Sequence, residues 1–94
     1  LPPLDRKPDA AAAAPGLAAM IEASARGDAQ ALAVLANMAE QMLRAGGDMA
    51  RLGGIMRRLV NGEREYDLLA KGMGALGRNL LRDILDELAK NTLH

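Results

Sequence analysis

The chain has 94 residues, half of them apolar, and its twelve acidic and twelve basic residues give a formal net charge of zero. This length allows one domain, and the balanced charge gives no general attraction to nucleic acid or to an anionic membrane. The absence of cysteine excludes disulfides and thiolate chemistry, and no apolar run approaches the roughly 20 residues of a membrane-spanning helix. A cytoplasmic location is the default expectation.

Four prolines fall within the first fifteen residues, around the run Ala10–Ala14. Proline at this density disfavours sustained helix and favours extended backbone. Residues 1–15 are therefore predicted to form a Pro/Ala-rich linker, and residues 16–94 a helical domain. Because a linker leads in and none leads out, we expect this domain at the C-terminal end of a longer protein.

Apolar spacings of three and four predict a first helix over Leu17–Arg26 and a second over Ala29–Ala45. Gly27 suits the C-terminal cap of the first helix, since glycine adopts positive φ without strain, and Asp28 suits the N-cap of the second. The apolar residues of the second helix spread over about 200° of its circumference, which predicts that it packs against the last helix at the centre of the domain. These residues are Leu32, Val34, Leu35, Met38, Ala39, Met42 and Leu43.

A second Gly-Asp pair, Gly47-Asp48, precedes a third helix predicted over Met49–Asn61, with Asp48 as its N-cap. Gly53-Gly54 lies inside this helix at a cost of about 1 kcal/mol per glycine relative to alanine. Such a cost indicates either the close approach of another helix or a kink. A short helix is predicted after it, around Asp67–Lys71.

The last helix is predicted over Ala75–Lys90, where a broad apolar face repeats at spacings of three and four. The face consists of Leu76, Leu80, Leu81, Ile84, Leu85 and Leu88. With only one aromatic residue, Tyr66, the core must be aliphatic. The sequence therefore predicts an all-α fold, a small antiparallel bundle of four main helices plus a short fifth.

Residues 72–77 read GMGALG, a literal G-x-G-x-x-G at the start of a helix. In dinucleotide-binding folds such glycines follow a buried strand. Here the preceding residues Asp67–Lys71 are predicted to be helical, and no βαβ unit fits. The glycines are therefore interpreted as a turn in which Gly72 or Gly74 has positive φ and Gly77 permits close packing. No cofactor is predicted, and no dinucleotide is expected to bind.

Four arginines, Arg51, Arg57, Arg58 and Arg64, form the one basic set in the chain. They support an alternative function, a small nucleic-acid-binding regulator. The spacing of the segment does not match a helix-turn-helix, because only Met49–Leu52 precedes Gly53. A solvated face and a surface for an anionic protein are the two other interpretations of this set.

Residues for catalysis and for metal binding are scarce. Asp83, Asp86 and Glu87 lie on one helix beside basic residues, so ion pairs such as Arg82–Asp86 and Asp86–Lys90 are expected instead of a catalytic carboxylate pair. The single histidine is the last residue, and there is no cysteine, so the usual ligands of a zinc site are almost absent. No enzyme activity, catalytic residue or metal site is predicted.

The segment from Gly62 to Leu88 resembles a known kind of appendage. Gly62, Glu63, Arg64 and Glu65, followed by a Leu/Ile-rich helix over Leu80–Leu88, resemble short helical stretches near the C-termini of large bacterial signalling and conflict proteins. Those proteins are built of tetratricopeptide repeats, NTPase or CHAT-type protease modules. Tyr66 stands where they usually have proline. The resemblance implies a non-catalytic appendage of a multidomain protein.

The remaining function is surface recognition, so the sequence predicts a protein–protein interaction module: an adaptor, docking or oligomerisation domain that binds a helical protein partner or a second copy of itself. Its apolar arcs are wider than a small bundle needs, and some of that surface is expected to stay exposed. Gly53-Gly54 would admit a partner helix, with two arginines as a polar rim. The predicted partner-binding residues are Arg51, Gly54, Arg58, Leu81, Leu85 and Met38.

Overall fold

The structure, a computed structural model, describes residues 10–92, with side chains over residues 13–90. Within this range the chain is α-helical and contains no strand, which confirms the all-α class with four longer helices and one short helix. The helices are α1 (Ala10–Ala25), α2 (Ala29–Ala45), α3 (Gly47–Val60), α4 (Tyr66–Leu69) and α5 (Ala75–Thr92). No helix in this range is both long and apolar enough to cross a membrane.

The N-terminal helix begins earlier than its sequence pattern indicates. α1 starts at Ala10 instead of Leu17, and Pro15 lies inside it. Alanine has the highest intrinsic helix propensity, and the φ of proline is already close to helical, so one missing hydrogen bond near the N-terminus is tolerated. Ala14, within these roughly two added turns, is buried in the core. The predicted linker therefore ends in helix, and its residues 1–9 lie outside the described residues.

The turn between α1 and α2 forms as the sequence predicts. Gly27 has φ +97°, and its N–H donates to the Ser24 carbonyl while the Asp28 N–H donates to the Ala23 carbonyl, both at 3.0 Å. This is the two-bond pattern of a Schellman cap. Asp28 is the N-cap of α2, because its Oδ1 accepts from the backbone N–H groups of Gln30 at 3.0 Å and Ala31 at 3.1 Å.

The helices pack in two main pairs that share one core. α2 packs most extensively on α3, and α5 packs most extensively on α1. The prediction that α2 is the main partner of α5 is therefore wrong. α1 takes that place, and its buried side chains, Ala14, Leu17, Ala18 and Ile21, belong to the shared core. The side chains that are almost completely buried are Ile21, Leu52, Leu59, Leu69, Leu81, Ile84 and Leu88.

The wide apolar arc of α2 is only partly covered. Ala31, Leu35 and Met42 are buried, and Met38 and Ala39 pack partly buried against the core. The inward assignment of Leu32, Val34 and Leu43 is wrong, because these three side chains are exposed. Among residues 10–92, the helices that pack closely on α2 are α1 and α3, and they leave the outer edge of its arc uncovered.

Candidate protein-interaction surface

A groove runs along the surface between α2 and α3, and a glycine sets the spacing of its two walls. A Cβ on Gly53 would lie 2.7 Å from the Ala39 carbonyl oxygen and 3.1 Å from Met42 Cβ. Only glycine therefore allows α3 to approach α2 this closely. Of the two explanations offered for Gly53-Gly54, the structure supports close helix approach at Gly53, and the approaching helix belongs to the same chain.

The next residue, Gly54, leaves an open position in the groove. Apart from its chain neighbours and the backbone of its own helix, no atom of the described residues lies within 4 Å of the place that its Cβ would occupy, and the residue is exposed. The two adjacent glycines therefore differ. α2 occupies the space beside Gly53, whereas the space beside Gly54 is open to solvent. Gly54 is a predicted partner-binding residue that does lie in the groove.

The walls of this groove, called here the α2/α3 groove, carry exposed leucines. Leu32 is 48% exposed and Leu43 is 51% exposed, while Leu35 and Met56 are buried at the floor. The groove has a volume of about 620 Å³. It is lined by Leu32, Leu35, Ala36, Ala39, Glu40, Leu43, Gly53, Gly54, Met56, Arg57, Val60 and Asn61.

Two charged residues of opposite sign line the same groove from opposite walls. Glu40 on α2 pairs with Arg44 one turn further along the helix at 3.0 Å, and both side chains are largely exposed. Arg57 on α3 is exposed, and its guanidinium makes no ion pair within residues 13–90. The groove is therefore apolar along its floor, with an acid and an unpaired base on its two sides.

A second apolar cleft lies where α1, α2 and α5 meet near the start of α3. Its volume is about 650 Å³. Met38, another predicted partner-binding residue, lines this cleft together with Met42 and Met49. Leu76 lines it as well and is 53% exposed, although the sequence placed it on the buried face of the last helix. The two clefts lie on either side of α2.

The other predicted partner-binding residues do not form one surface. Leu81 is 0% exposed, so it cannot contact a partner without unfolding of α5, and its predicted exposure is wrong. Leu85 is half-buried against the core. Arg51 lies over Gly72, with Nη1 2.7 Å from the place that a Cβ would occupy there. The helical periodicity shows which residues share an apolar arc. It does not show which part of a wide arc the neighbouring helices cover.

The arginine set is engaged mainly within the chain. Arg58 donates through Nε and Nη2 to the Glu63 carboxylate, and these hydrogen bonds raise the pKa of Arg58 and lower the pKa of Glu63. Arg64 donates to the carbonyls of Leu59 at 2.8 Å and Glu63 at 2.7 Å. Arg57 faces solvent without a bond of this kind among the described residues, and one such arginine is little support for a nucleic-acid surface.

The glycine motif at residues 72–77 binds a carboxylate of the chain itself. Asp48 accepts from the Gly74 N–H through Oδ1 at 2.8 Å and from the Gly77 N–H through Oδ2 at 2.9 Å. These two hydrogen bonds, from Gly74 first and Gly77 second, lower the pKa of Asp48, and the charges of Arg51 and Arg78 act in the same direction. Gly72 has φ +83°, as the turn interpretation predicts.

The prediction that Asp48 caps its own helix is wrong. α3 begins at Gly47 with Gly46 as the N-cap residue, so Asp48 is the second residue of the helix and its carboxylate points to α5. In a capping box, two side chains of one helix satisfy the N-cap and N3 amides. Gly74 and Gly77, at those two positions of α5, have no side chains, and Asp48 satisfies both amides from α3.

The expected ion pairs on α5 are replaced by other contacts. Arg82 lies over the Tyr66 ring at 4.9 Å from the ring centroid, a cation–π contact, and is not paired with Asp86. Lys90 pairs with Glu87 at 3.1 Å, and not with Asp86. Among the described residues no group of three or more acidic or histidine side chains could hold a metal ion. Ser24 is buried, and its hydroxyl has no hydrogen-bond partner in the described part of the chain.

Comparisons with known proteins add no relative: no family model matches the chain, and no curated protein or solved structure matches it. The resemblance to bacterial C-terminal appendages therefore stays a prediction. Within the α2/α3 groove, the exposed side chains that sequence reasoning placed inward are Leu32 and Leu43. The signal that pointed to them was the width of the α2 arc, which exceeds what two neighbouring helices can cover.

Proposed function

We propose that this chain is a non-catalytic helical protein–protein interaction module, an adaptor, docking or oligomerisation domain of a larger bacterial protein in the cytoplasm. The observation that supports it is the α2/α3 groove, where Leu32 and Leu43 stay about half exposed beside the open position at Gly54. Burial of apolar surface is favourable by roughly 25 cal/mol per Å². A partner that covers these leucines therefore buries apolar surface that the fold of the chain leaves exposed, and this burial favours binding.

The proposal includes an antiparallel arrangement of the bundle. The single residue Gly46 joins α2 to α3, and connections this short favour antiparallel neighbours. Two observations fit this direction. Gly53, in the first half of α3, lies against Ala39 and Leu43 in the second half of α2. Asn61, just beyond α3, lines the same groove as Leu32 near the start of α2.

The dimensions of the α2/α3 groove suit a helix as the bound element. From Leu32 to Leu43 the α2 wall rises about 16 Å, or three helical turns. A partner helix that presents apolar residues at spacings of three, four and seven would place them along this length, the usual way in which an amphipathic helix binds a groove. Arg57 on one wall and Glu40 on the other select for charges of opposite sign on the two edges of that helix.

The test is site-specific photo-cross-linking of the full-length protein in its own cells. A photoreactive amino acid replaces Leu43 in one strain and Leu68 in a matched control, since Leu68 is 56% exposed but does not line the groove. We expect position 43 to give a discrete protein product that position 68 does not give. Addition of Leu32→Glu should abolish this product, because a charge at the groove wall cannot be buried against an apolar helix face.

Two results would contradict the proposed function. One is the absence of any protein product from position 43. The other is a product that forms equally from position 68, because this would show diffuse contact in place of a docking surface.

A further inference from the structure

We propose that the occupant of the α2/α3 groove is a second copy of this chain, related by a twofold axis parallel to α2 and α3. This inference rests on the proposed function and names its partner. In the dimer, the two α2/α3 faces lie against each other, so that α2 of each copy packs over α3 of the other. A twofold interface requires a surface that is complementary to itself.

The two walls of the groove are complementary in shape. The α2 wall contributes a protruding side chain, Leu43, and the α3 wall contributes the open position at Gly54. A Cβ on Gly53 would lie 3.3 Å from the Leu43 backbone nitrogen, so the neighbouring Gly54 lies at nearly the same level along the groove as Leu43. A twofold axis parallel to the helices preserves this level. Leu43 of each copy therefore meets the open position at Gly54 of the other.

The two walls are also complementary in charge. Glu40 lies three residues before Leu43 on α2, and Arg57 lies three residues after Gly54 on α3. In the proposed antiparallel arrangement these equal steps bring Glu40 and Arg57 to one level on opposite walls. The same twofold axis then sets Glu40 of each copy against Arg57 of the other, and the symmetry forms this ion pair twice.

Neither charge is strongly committed within one copy. Within residues 13–90, Arg57 makes no ion pair and Glu40 pairs with Arg44 alone, whose side chain is 75% exposed. Exposed pairs of that kind contribute little stability, so Glu40 can exchange Arg44 for Arg57 of the second copy. The formal net charge of zero means that two copies do not repel each other at long range.

The size of the contact predicts a weak dimer. The face of two helices is about 16 Å long and about 20 Å wide. This footprint, roughly 320 Å², lies well below the roughly 800 Å² per partner of a standard stable interface. We therefore expect dissociation in the micromolar range, and a dimer that forms readily only where neighbouring domains or high concentration bring two copies together.

The test is sedimentation equilibrium of the full chain from about 10 to about 500 μM, with charge-reversed variants. Wild type should form a dimer. Glu40→Arg alone and Arg57→Glu alone should each raise the dissociation constant about tenfold or more, since each sets like charges against each other twice. A 1:1 mixture of the two variants should form a heterodimer with wild-type affinity. At one contact the introduced arginine faces the introduced glutamate, and at the other the native Arg57 faces the native Glu40.

Recovery in the mixture separates a contact between copies from a contact within one copy. Circular dichroism should show equal helix content in both variants, and Leu68→Glu, outside the groove, should leave the dimer intact. Gly54→Leu should weaken it, because the new side chain fills the open position without a clash inside the monomer.

A wild-type chain that stays monomeric over this range, or a mixture that stays monomeric, overturns the inference. If position 43 then cross-links to a different protein, the proposed function stands and only the homodimer fails. If no protein cross-links from position 43 and no dimer forms, both fail.

Discussion

The two Gly-Asp turns, Gly27-Asp28 and Gly47-Asp48, share a sequence and use their carboxylates differently. Asp28 accepts two backbone N–H groups of the next helical turn through the single oxygen Oδ1. Asp48 accepts two backbone N–H groups as well, but through both oxygens and from Gly74 and Gly77 at the start of α5. One turn therefore closes a local cap, and the other connects two helices that are distant in sequence.

The cause of this difference lies in the residues around each aspartate. Gly46 and Gly47 both have positive φ, and α3 already begins at Gly47, so Asp48 is inside the helix instead of at its N-cap. Room for its carboxylate is made on α5. A Cβ on Gly77 would lie 3.0 Å from Asp48 Cβ, and one on Gly74 would lie 3.1 Å from Asp48 Oδ2. A motif of two residues thus specifies a turn but not the helix that its carboxylate caps.

The largest expected effect is that of Asp48→Asn. The amide of asparagine offers one oxygen and one NH₂ group, so it can accept from only one of Gly74 and Gly77 and sets a donor against the other. We expect the midpoint of thermal unfolding to fall by several degrees. The matched control is Asp28→Asn, which should be nearly neutral, because Asp28 uses one oxygen and asparagine is as good an N-cap as aspartate. Equal losses in the two variants would show that the two turns are alike.

Acid should weaken the contact between Asp48 and the start of α5. Hydrogen bonds from Gly74 and Gly77 hold the pKa of Asp48 below its ordinary value of 3.8. A carboxyl with a lowered pKa in the folded state stabilises it above that ordinary value, and the contribution is lost as the pH falls through the lowered pKa. The difference in unfolding free energy between wild type and Asp48→Asn should therefore narrow from about pH 4 downward, as measured by urea unfolding at each pH.

Glu63 contributes to the same acid range and has to be separated from Asp48. Its pKa also lies below its ordinary value, 4.5, because Arg58 donates hydrogen bonds to its carboxylate. Glu63→Gln should remove the contribution of Glu63 to the loss of unfolding free energy in acid. The contribution of Asp48, which Asp48→Asn removes, should remain. A wild-type stability that is constant from neutral pH to below 3.8 would contradict both assignments.

The smallest expected effect concerns the local cap. Asp28→Ala should lower the unfolding free energy by about 0.5 kcal/mol, the low end for an N-cap because Asp28 is exposed, since the N–H groups of Gln30 and Ala31 lose their acceptor. Asp28→Gly should cost only a few tenths. Chemical denaturation measures both. A loss from Asp28→Ala larger than that from Asp48→Asn would reverse the ranking of the two turns.

Sequence periodicity predicts some features of the α2/α3 groove and not others. The sequence predicts that α2 has more apolar surface than a small bundle covers, and it identifies Gly53-Gly54 as a close approach or a kink. It does not show that Gly53 lies against Ala39 while Gly54 stays open. Exposure at Leu81 was predicted and is wrong, while exposure at Leu32 and Leu43 was not predicted. Which edge of a wide arc is covered depends on where the neighbouring helices lie.

By itself, the sequence determined the elements that depend on local physics. The periodicity of α2 gave both of its ends, and Gly27-Asp28 and Gly62 gave helix ends, because caps and positive φ involve residues only a few positions apart. Tertiary structure decided which helices pair, which leucines stay exposed and where the Asp48 carboxylate lies. These depend on contacts between residues far apart in sequence, such as Asp48 with Gly77. Gly53 shows how a missing side chain decides such a contact, because it lets α3 approach the backbone of α2.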